Sequence, residues 1–297
     1  MKILITGSNG LLGQKIVQRC IKHHIQFIAT SKGENRNTNC PDSNYLPLDI
    51  SVENEVQSLI RKVKPTAIIH TAAITNVDYC EEHPEECMLV NVKATQFLFE
   101  AAQEVGAHFQ LLSTDFVFDG KNGPYSETDP VNPLSVYAQS KVKGEQILID
   151  SDYKNWSVAR TIIVYGTGIG LSRSNMILWA LDALPKGQTM NIVNDQFRAP
   201  TWAADLAYGC VEIVKRNVTG IFHLAGPETL SISEIVRRIA RKIGADENLV
   251  NEISSETLNQ AAKRPPRTGF NLEKAKQVLD YQPLELEKTI DILLNEL

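Results

Sequence analysis

The stretch Lys2-Ile3-Leu4-Ile5-Thr6-Gly7-Ser8-Asn9-Gly10-Leu11-Leu12-Gly13 carries an apolar run into three glycines spaced Gly-x-x-Gly-x-x-Gly. Lys2 to Thr6 reads as a buried strand, Gly7 to Gly13 as a loop, Leu11 to Ile21 as an amphipathic helix and Ile25 to Thr30 as the next strand. A strand, loop, helix and strand within about 30 residues has the size of one mononucleotide-binding half. The glycines differ in what they permit. Gly7 allows the tight turn, Gly10 lets backbone N–H groups approach a pyrophosphate, and Gly13 lets the helix pack against the strand. Asn9, Leu11 and Leu12 belong to the same cradle. The spacing differs from the Gly-x-Gly-x-x-Gly fingerprint, and the alternative is a glycine-rich turn with no ligand.

The tip of the second strand selects the cofactor. A carboxylate there would bond the adenosine ribose, whereas hydroxyl and cationic groups suit a 2′-phosphate. Here Thr30-Ser31-Lys32 is followed by Arg36, with no carboxylate before Glu34. Ser31 and Lys32 therefore favour NADPH, with NADH as the alternative.

Outward from this unit, Tyr45 to Asp49 reads as a third strand whose tail, Asp49-Ile50, edges the adenine, and Ser51 caps a helix to about Val63 that Pro65 closes. Ala67 to His70 is a fourth strand, with the small residues Ala72 and Ala73 beyond its end to let a cofactor pass. Asp78 with Glu81, Glu82, Glu85 and Glu86 reads as a solvated loop and helix start, Asn91 to Val105 as a helix and Phe109 to Ser113 as a fifth strand. This alternation describes an α/β protein with a Rossmann-like, doubly wound parallel sheet, whose ligands bind beyond the carboxyl ends of the strands. Ser157 to Tyr165 is expected as one sixth strand, after which the alternation loosens; helices follow at Ala203 to Val214, from Ser231 to about Ile243 and at Leu286 to Leu294, with a strand at Gly220 to Leu224.

The bulk composition narrows the function. With 297 residues, 43% hydrophobic and 22% charged, the chain is an ordinary globular protein. A net charge of −5, a pI near 5.8 and no Lys/Arg-rich block argue against nucleic acid. No apolar run approaches about 18 residues and the chain starts as a strand, so neither a membrane span nor a signal peptide is expected, and the protein is read as cytoplasmic. Five scattered cysteines and the absence of a Cys-x-x-Cys or His-x-x-x-His pair point to reduced thiols and no protein-ligated metal.

Chemistry enters at Val136-Tyr137-Ala138-Gln139-Ser140-Lys141, where a phenol and an ammonium stand four residues apart in a helical segment, hence roughly 6 Å apart on one face. Alone, this pair reads as two exposed helix residues. Preceded by the glycine loop and by Ser113-Thr114-Asp115 at the end of an apolar run, it reads as one site. Hydride addition to a ketone makes an alkoxide, and a phenol with a pKa near 10 carries the proton that alkoxide needs at neutral pH. Lys141 is expected to lower the Tyr137 pKa and to hold the nicotinamide ribose, while Thr114 hydrogen-bonds and orients the carbonyl oxygen.

The ordered set Gly7-x-x-Gly10-x-x-Gly13, Ala72-Ala73-Ile74-Thr75-Asn76-Val77-Asp78, Ser113-Thr114-Asp115-Phe116-Val117-Phe118-Asp119-Gly120, Tyr137-x-x-x-Lys141 with Gly144-Glu145, and Asn194-Asp195-Gln196-Phe197-Arg198-Ala199-Pro200-Thr201 resembles the extended short-chain dehydrogenase/reductases, and among them the dTDP-4-dehydrorhamnose reductases. The resemblance spans most of the chain. It implies NADPH-dependent reduction of a nucleotide-linked 4-keto sugar. Catalysis would fall to Thr114, Tyr137 and Lys141, with Asp115 orienting them; the alternative for Asp115 is a carboxylate capping the following turn. Thr75, Val77, Thr114 and Phe116 would face the substrate. Four positions depart from the pattern: Phe116 replaces a usual Tyr, Ile163 a Trp of several members, Ala138 a Gly and Arg198 a common Gly.

The same resemblance divides the chain into a cofactor domain, 1–165 plus about 200–225, and a substrate domain, about 166–199 and 226–297. In the latter, Lys263-Arg264-Pro265-Pro266-Arg267 is the densest basic cluster; Arg264 is expected to clamp a substrate pyrophosphate, against the alternative of a solvated basic loop. Other functions stay open: a nucleotide-sugar epimerase or different ketoreductase, or a non-catalytic subunit like the methionine adenosyltransferase beta subunit. A homodimer is compatible with all of them.

Overall fold

The computed structural model describes residues 1–171 and 175–297; residues 172–174, inside the expected 166–199 segment, lie outside the described residues. The chain opens with β1 (Lys2–Thr6), α1 (Leu11–Lys22), β2 (Gln26–Ser31), β3 (Tyr45–Pro47), α2 (Glu53–Val63) and β4 (Ala67–His70). It continues through α3 (Val77–Glu82), α4 (Pro84–Met88), α5 (Ala94–Glu104), β5 (His108–Thr114), α6 (Val136–Ile149) and β6 (Trp156–Thr161). Then come β7 (Val164–Tyr165), α7 (Met176–Ala183), β8 (Met190–Val193), β9 (Phe197–Arg198), β10 (Thr201–Trp202), α8 (Ala203–Arg216) and β11 (Gly220–His223). The last elements are β12 (Leu230–Ser231), α9 (Ile232–Ile243), β13 (Val250–Ile253), α10 (Glu273–Leu279) and α11 (Leu286–Glu296).

Among the described residues seven strands form one sheet in the order β3-β2-β1-β4-β5-β6-β11, with every neighbouring pair parallel. The sheet is buried on both faces, which is why β4 and β5 read as unbroken buried runs rather than alternating ones. Strand order reverses between β1 and β4, and the crevice there opens beyond their carboxyl ends, beside Gly7 and Thr71-Ala72. On one face α1 and α8 join the cluster of Ile3, Ile16, Val17, Leu206 and Cys210; on the other, α2 and α5 pack Val56, Ile60, Leu98 and Phe99 against Leu4, Ile68 and Phe109. A further core, with Ile177, Leu181, Ile235, Ile239 and Ile290, lies under α7, α9 and α11. No helix of the described residues is long and apolar enough to cross a membrane.

Three expectations are corrected. The stretch 157–165 is two strands: Ile163 has φ +28°, a rare value for a β-branched residue, and the turn takes the chain out of the main sheet so that Val164–Tyr165 pairs with Thr201–Trp202. Thr201 supports that turn through its amide to the Ile163 carbonyl at 3.0 Å and its hydroxyl to the Ile162 carbonyl at 2.5 Å. Ser51 does not cap α2; the N-cap is Val52, and the Ser51 hydroxyl donates to Asp49 at 2.6 Å. The helix expected from Asn91 starts earlier, at α4, and passes through a π-helical turn, Leu89–Lys93, that carries Asn91.

Candidate active site

The glycine loop is built by close approach. Gly7 has φ +72°, and a Cβ there would lie 2.7 Å from Thr71 Oγ1 and 2.8 Å from the Ala72 nitrogen. A Cβ on Gly13 would meet the Gly7 carbonyl oxygen at 2.3 Å, so this glycine lets α1 pack on the loop itself rather than on the strand. The first turn of α1 begins at Leu11 and Leu12 after the N-cap Gly10 and holds no acidic residue, which leaves its positive end suited to an anion. Asn9 pins the loop after β2: its amide donates to Ser31 Oγ at 3.0 Å, its Nδ2 to the Glu34 carbonyl at 2.9 Å, and its Oδ1 accepts from the Arg36 amide at 2.9 Å. Exposed Lys32 pairs with Asp49 at 2.8 Å, and hydrogen bonds from Lys32 and Ser51 hold that carboxyl down to about 2. Ile50, Ala72 and Ala73 are half-buried. Gln14, which the sequence did not single out, grips both backbone groups of Ile169: Nε2 donates to its carbonyl at 2.7 Å and Oε1 accepts its amide at 2.8 Å.

At the end of β5, Thr114 and Asp115 enter a 3₁₀ turn, Asp115–Val117, whose N-cap is Thr114: its Oγ1 accepts the Phe116 amide at 3.2 Å. The capping alternative for Asp115 is thereby decided, because its carboxylate points elsewhere. Oδ1 accepts the Thr114 hydroxyl at 3.1 Å, Oδ2 accepts the Thr268 hydroxyl, and Arg198 Nε stands 3.7 Å from Oδ2. Burial raises the Asp115 pKa, with Arg198 the foremost opposing influence.

Ser135 caps α6 through the Ala138 amide at 3.3 Å, and Tyr137 and Lys141 are both buried in this helix. Tyr137 packs with Cys80, Cys87, Val77 and Phe116, whose ring meets the phenol edge-on at 6.1 Å between centroids. Burial raises the phenol's pKa well above its ordinary value, against a smaller downward pull from Thr114. This corrects the expectation that Lys141 lowers it: desolvation dominates, and Lys141 is not among the main influences on the phenol. Lys141 itself is pushed down to about 8 by burial, with Glu145 opposing.

Glu145 lies one helical turn beyond Lys141 and is one of several site residues the sequence analysis underused. It accepts Arg160 in a buried fork, at 2.6 and 3.0 Å, and the Ser113 hydroxyl at 2.5 Å, tying α6 to β5 and β6. Asn91, on the π turn, donates to Ser140 Oγ at 3.0 Å and to the Ile74 carbonyl at 3.0 Å, and accepts the Ile74 amide at 2.8 Å. An amide inside the apolar run Leu89-Val90-Asn91-Val92 was the available signal for it.

On the remaining side, Thr75 is exposed and Val77 and Phe116 are half-buried. Asp78 is half-buried and paired rather than free in solvent as expected: it accepts the Arg264 fork at 2.7 and 3.2 Å and the Ala262 amide at 3.1 Å. Arg264 is thus engaged by a carboxylate of α3, which draws the loop 262–268 across to that helix. Arg267 is exposed over the Phe197 ring. Arg198 is buried, donating to the carbonyls of Phe197 at 2.8 Å, Pro265 at 2.7 Å and Pro266 at 3.3 Å, with its guanidinium 5.4 Å from the Phe116 ring centroid. The described residues hold no group of three His, Cys, Asp or Glu side chains arranged for a metal.

This geometry has counterparts among known proteins. A family model described as the RmlD substrate binding domain matches residues 1–297. A dTDP-4-dehydrorhamnose reductase of Aggregatibacter actinomycetemcomitans is 30% identical, with 97% of each chain covered. Methionine adenosyltransferase 2 subunit beta of Xenopus laevis is 30% identical over 93% of this chain and 82% of its own. The crystal structure of a Bacillus anthracis dTDP-4-dehydrorhamnose reductase in complex with NADP superimposes with a TM-score of 0.85 at 25% identity, covering 100% of this chain and 99% of that one. The parallel sheet, the glycine cradle and the whole-chain match lead to one conclusion: this protein belongs to the RmlD family of the extended short-chain dehydrogenase/reductases.

Proposed function

We propose that the protein reduces a nucleotide-linked 4-keto sugar with NADPH, with dTDP-4-dehydrorhamnose as substrate and dTDP-L-rhamnose as product, in the cytoplasm. The observation that carries this reading is the burial of Tyr137 and Lys141 on one face of α6, beside Thr114 at the carboxyl end of β5. The fit of a dinucleotide rests on the tight loop that Gly7 and Gly13 alone permit, because a Cβ on either would collide with neighbouring backbone, and on the positive end of α1, whose first turn holds no acidic residue. In that reading Gly7, Gly10 and the first turn of α1 hold the pyrophosphate, Lys32 meets a 2′-phosphate in place of Asp49, and Lys141 holds the nicotinamide ribose. When bound, the cofactor supplies hydride to the carbonyl carbon.

The chain's own residues supply the rest. The Tyr137 phenol, neutral at physiological pH because burial raises its pKa, keeps the proton that the substrate oxygen takes. Lys141, with a pKa near 8, carries its charge at neutral pH beside that donor. Phe116 and Val77 provide an apolar wall against the sugar. Residues 1–165 and about 200–225 form the cofactor domain in this proposal, and 166–199 with 226–297 the substrate domain, from which Arg264 exchanges Asp78 for a substrate phosphate.

The test is NADPH oxidation across a panel of nucleotide 4-keto sugars, with the stereochemistry of each product determined. Turnover of dTDP-4-dehydrorhamnose to the L-rhamno product is expected; turnover of a different sugar nucleotide alone would replace the substrate assignment. The similarity to methionine adenosyltransferase 2 subunit beta supports a second reading, a cofactor-binding regulatory subunit. Copurification with a partner enzyme and no oxidation of NADPH with any sugar in the panel would favour it.

A further inference from the structure

Gln14 is fully buried near the start of α1, and both protons of its side-chain amide are used. Nε2 donates to the Asn9 carbonyl at 3.0 Å and to the Ile169 carbonyl at 2.7 Å, while Oε1 accepts the Ile169 amide at 2.8 Å. The two bonds to Ile169 give its backbone what a neighbouring strand would give, across 155 positions of sequence. These contacts belong to a closed ring. Asn9 accepts the Arg36 amide on Oδ1 at 2.9 Å, donates from Nδ2 to the Glu34 carbonyl at 2.9 Å, and donates its own amide to Ser31 Oγ at 3.0 Å. Next to Ile169, Gly170 has φ +57° and packs on Arg36: a Cβ built there would lie 3.7 Å from the Arg36 Cβ. The stretch that carries Ser31, Lys32 and Arg36 is therefore held on one side by Asn9 and on the other by residues 168–170. Gln14 is the side chain that joins the two holds.

We propose that Gln14 is a positioning residue for cofactor choice: it uses residues 168–170 to brace the loop after β2, so that Ser31, Lys32 and Arg36 stand ready for the 2′-phosphate of NADPH. This rests on the NADPH reading above and deepens it. Residues 32–41 form no helix or strand, and both Lys32 and Arg36 are exposed. Such a loop would have to be ordered at the moment of binding, and a brace that orders it beforehand lowers that cost. The pyrophosphate end of the cofactor has separate support in the glycine loop and the positive end of α1. NADH, which lacks the 2′-phosphate, therefore gains little from the brace.

The experiment is a fluorescence titration of NADPH and of NADH, which needs no sugar substrate. Gln14→Met keeps the length of the side chain and removes all three hydrogen bonds. It is expected to raise the Kd for NADPH about tenfold, the scale of one or two ordinary hydrogen bonds, and the Kd for NADH by less than about threefold. Ile169→Pro deletes only the amide that Gln14 accepts, at a residue 39% exposed, and is expected to shift the NADPH/NADH ratio in the same direction by a smaller factor. In an Arg36→Gln background, Gln14→Met is expected to change the NADPH Kd much less than it does in the parent, because the group it positions is already gone.

A Gln14 that serves only the packing of α1 predicts something else: the two cofactors weaken by the same factor, and Ile169→Pro leaves their ratio unchanged. Either result overturns the proposal, as does a full Gln14→Met effect in the Arg36→Gln background or a parent that binds NADPH and NADH equally. Should Gln14→Met fail to fold, Ile169→Pro decides by the same ratio. If the parent binds NADPH but oxidises it with no sugar in the panel, the reductase reading fails, whereas the titrations still report on Gln14.

Discussion

Lys141→Met should make the ligand-free protein more stable while abolishing most turnover. The ammonium is buried, and its pKa is pushed from 10.5 to about 8 by desolvation, with Glu145 opposing. At about 1.4 kcal/mol for each tenfold change in proton affinity, holding this charge inside the fold costs roughly 3 kcal/mol at neutral pH. Methionine has a similar length and no charge to desolvate, but it loses the attraction of Glu145, so the expected gain is about 1–3 kcal/mol. The pH dependence has a definite sign. Because the folded pKa lies below the unfolded one, the unfolded chain binds more protons between pH 8 and 10.5; the penalty is fully present below pH 8 and is relieved as pH rises toward 10.5. Urea unfolding of parent and variant at several pH values measures the difference directly, with NADPH oxidation followed in parallel. A variant that is less stable than the parent, or a stability difference that stays constant from pH 7 to 10, would refute the reasoning.

Other expectations follow from the same geometry. Tyr137→Phe keeps the ring in its apolar pocket and removes the proton donor, so kcat should fall at least about 100-fold with cofactor affinity nearly unchanged; near-normal turnover would remove the phenol from the mechanism. Glu145→Gln leaves the Arg160 guanidinium buried without its charge partner, and denaturant unfolding should show a loss of about 3–5 kcal/mol; a loss under about 1 kcal/mol would mean that the pair has little part in holding α6 to the sheet. NADPH should be preferred over NADH in the parent, and Lys32→Asp should shift the ratio of kcat/KM values toward NADH, an idea that equal use of both cofactors by the parent would end.

Local patterns in the sequence determined whatever depends on neighbours along the chain. The glycine loop, the parallel α/β sheet and the Tyr137–Lys141 face could be read because a buried parallel strand needs a continuous apolar run, a close backbone approach needs glycine, and residues four apart share a helical face. What only the tertiary structure decided are the partners of charges taken out of water. Asp78 and Arg264 stand 186 positions apart and Asp115 and Thr268 stand 153 apart, and no spacing rule connects such residues. Arg198 reads in sequence as a departure from a common glycine; in the fold it is a buried cation shared between Asp115 and the loop 262–268. The raised phenol of Tyr137 has the same origin. The chain places Lys141 on the same helical face, but the electrostatic outcome depends on how much water the surrounding core of Cys80, Cys87 and Phe116 excludes, and that core assembles from three separate segments. The break at Ile163 is likewise tertiary: the β-branched run through 162–164 favours a continuing strand, and the hydrogen bonds from Thr201 hold the turn that ends it. Sequence spacing encodes which faces are buried, whereas the identity of a buried group's partner is set by which distant segments the core brings together.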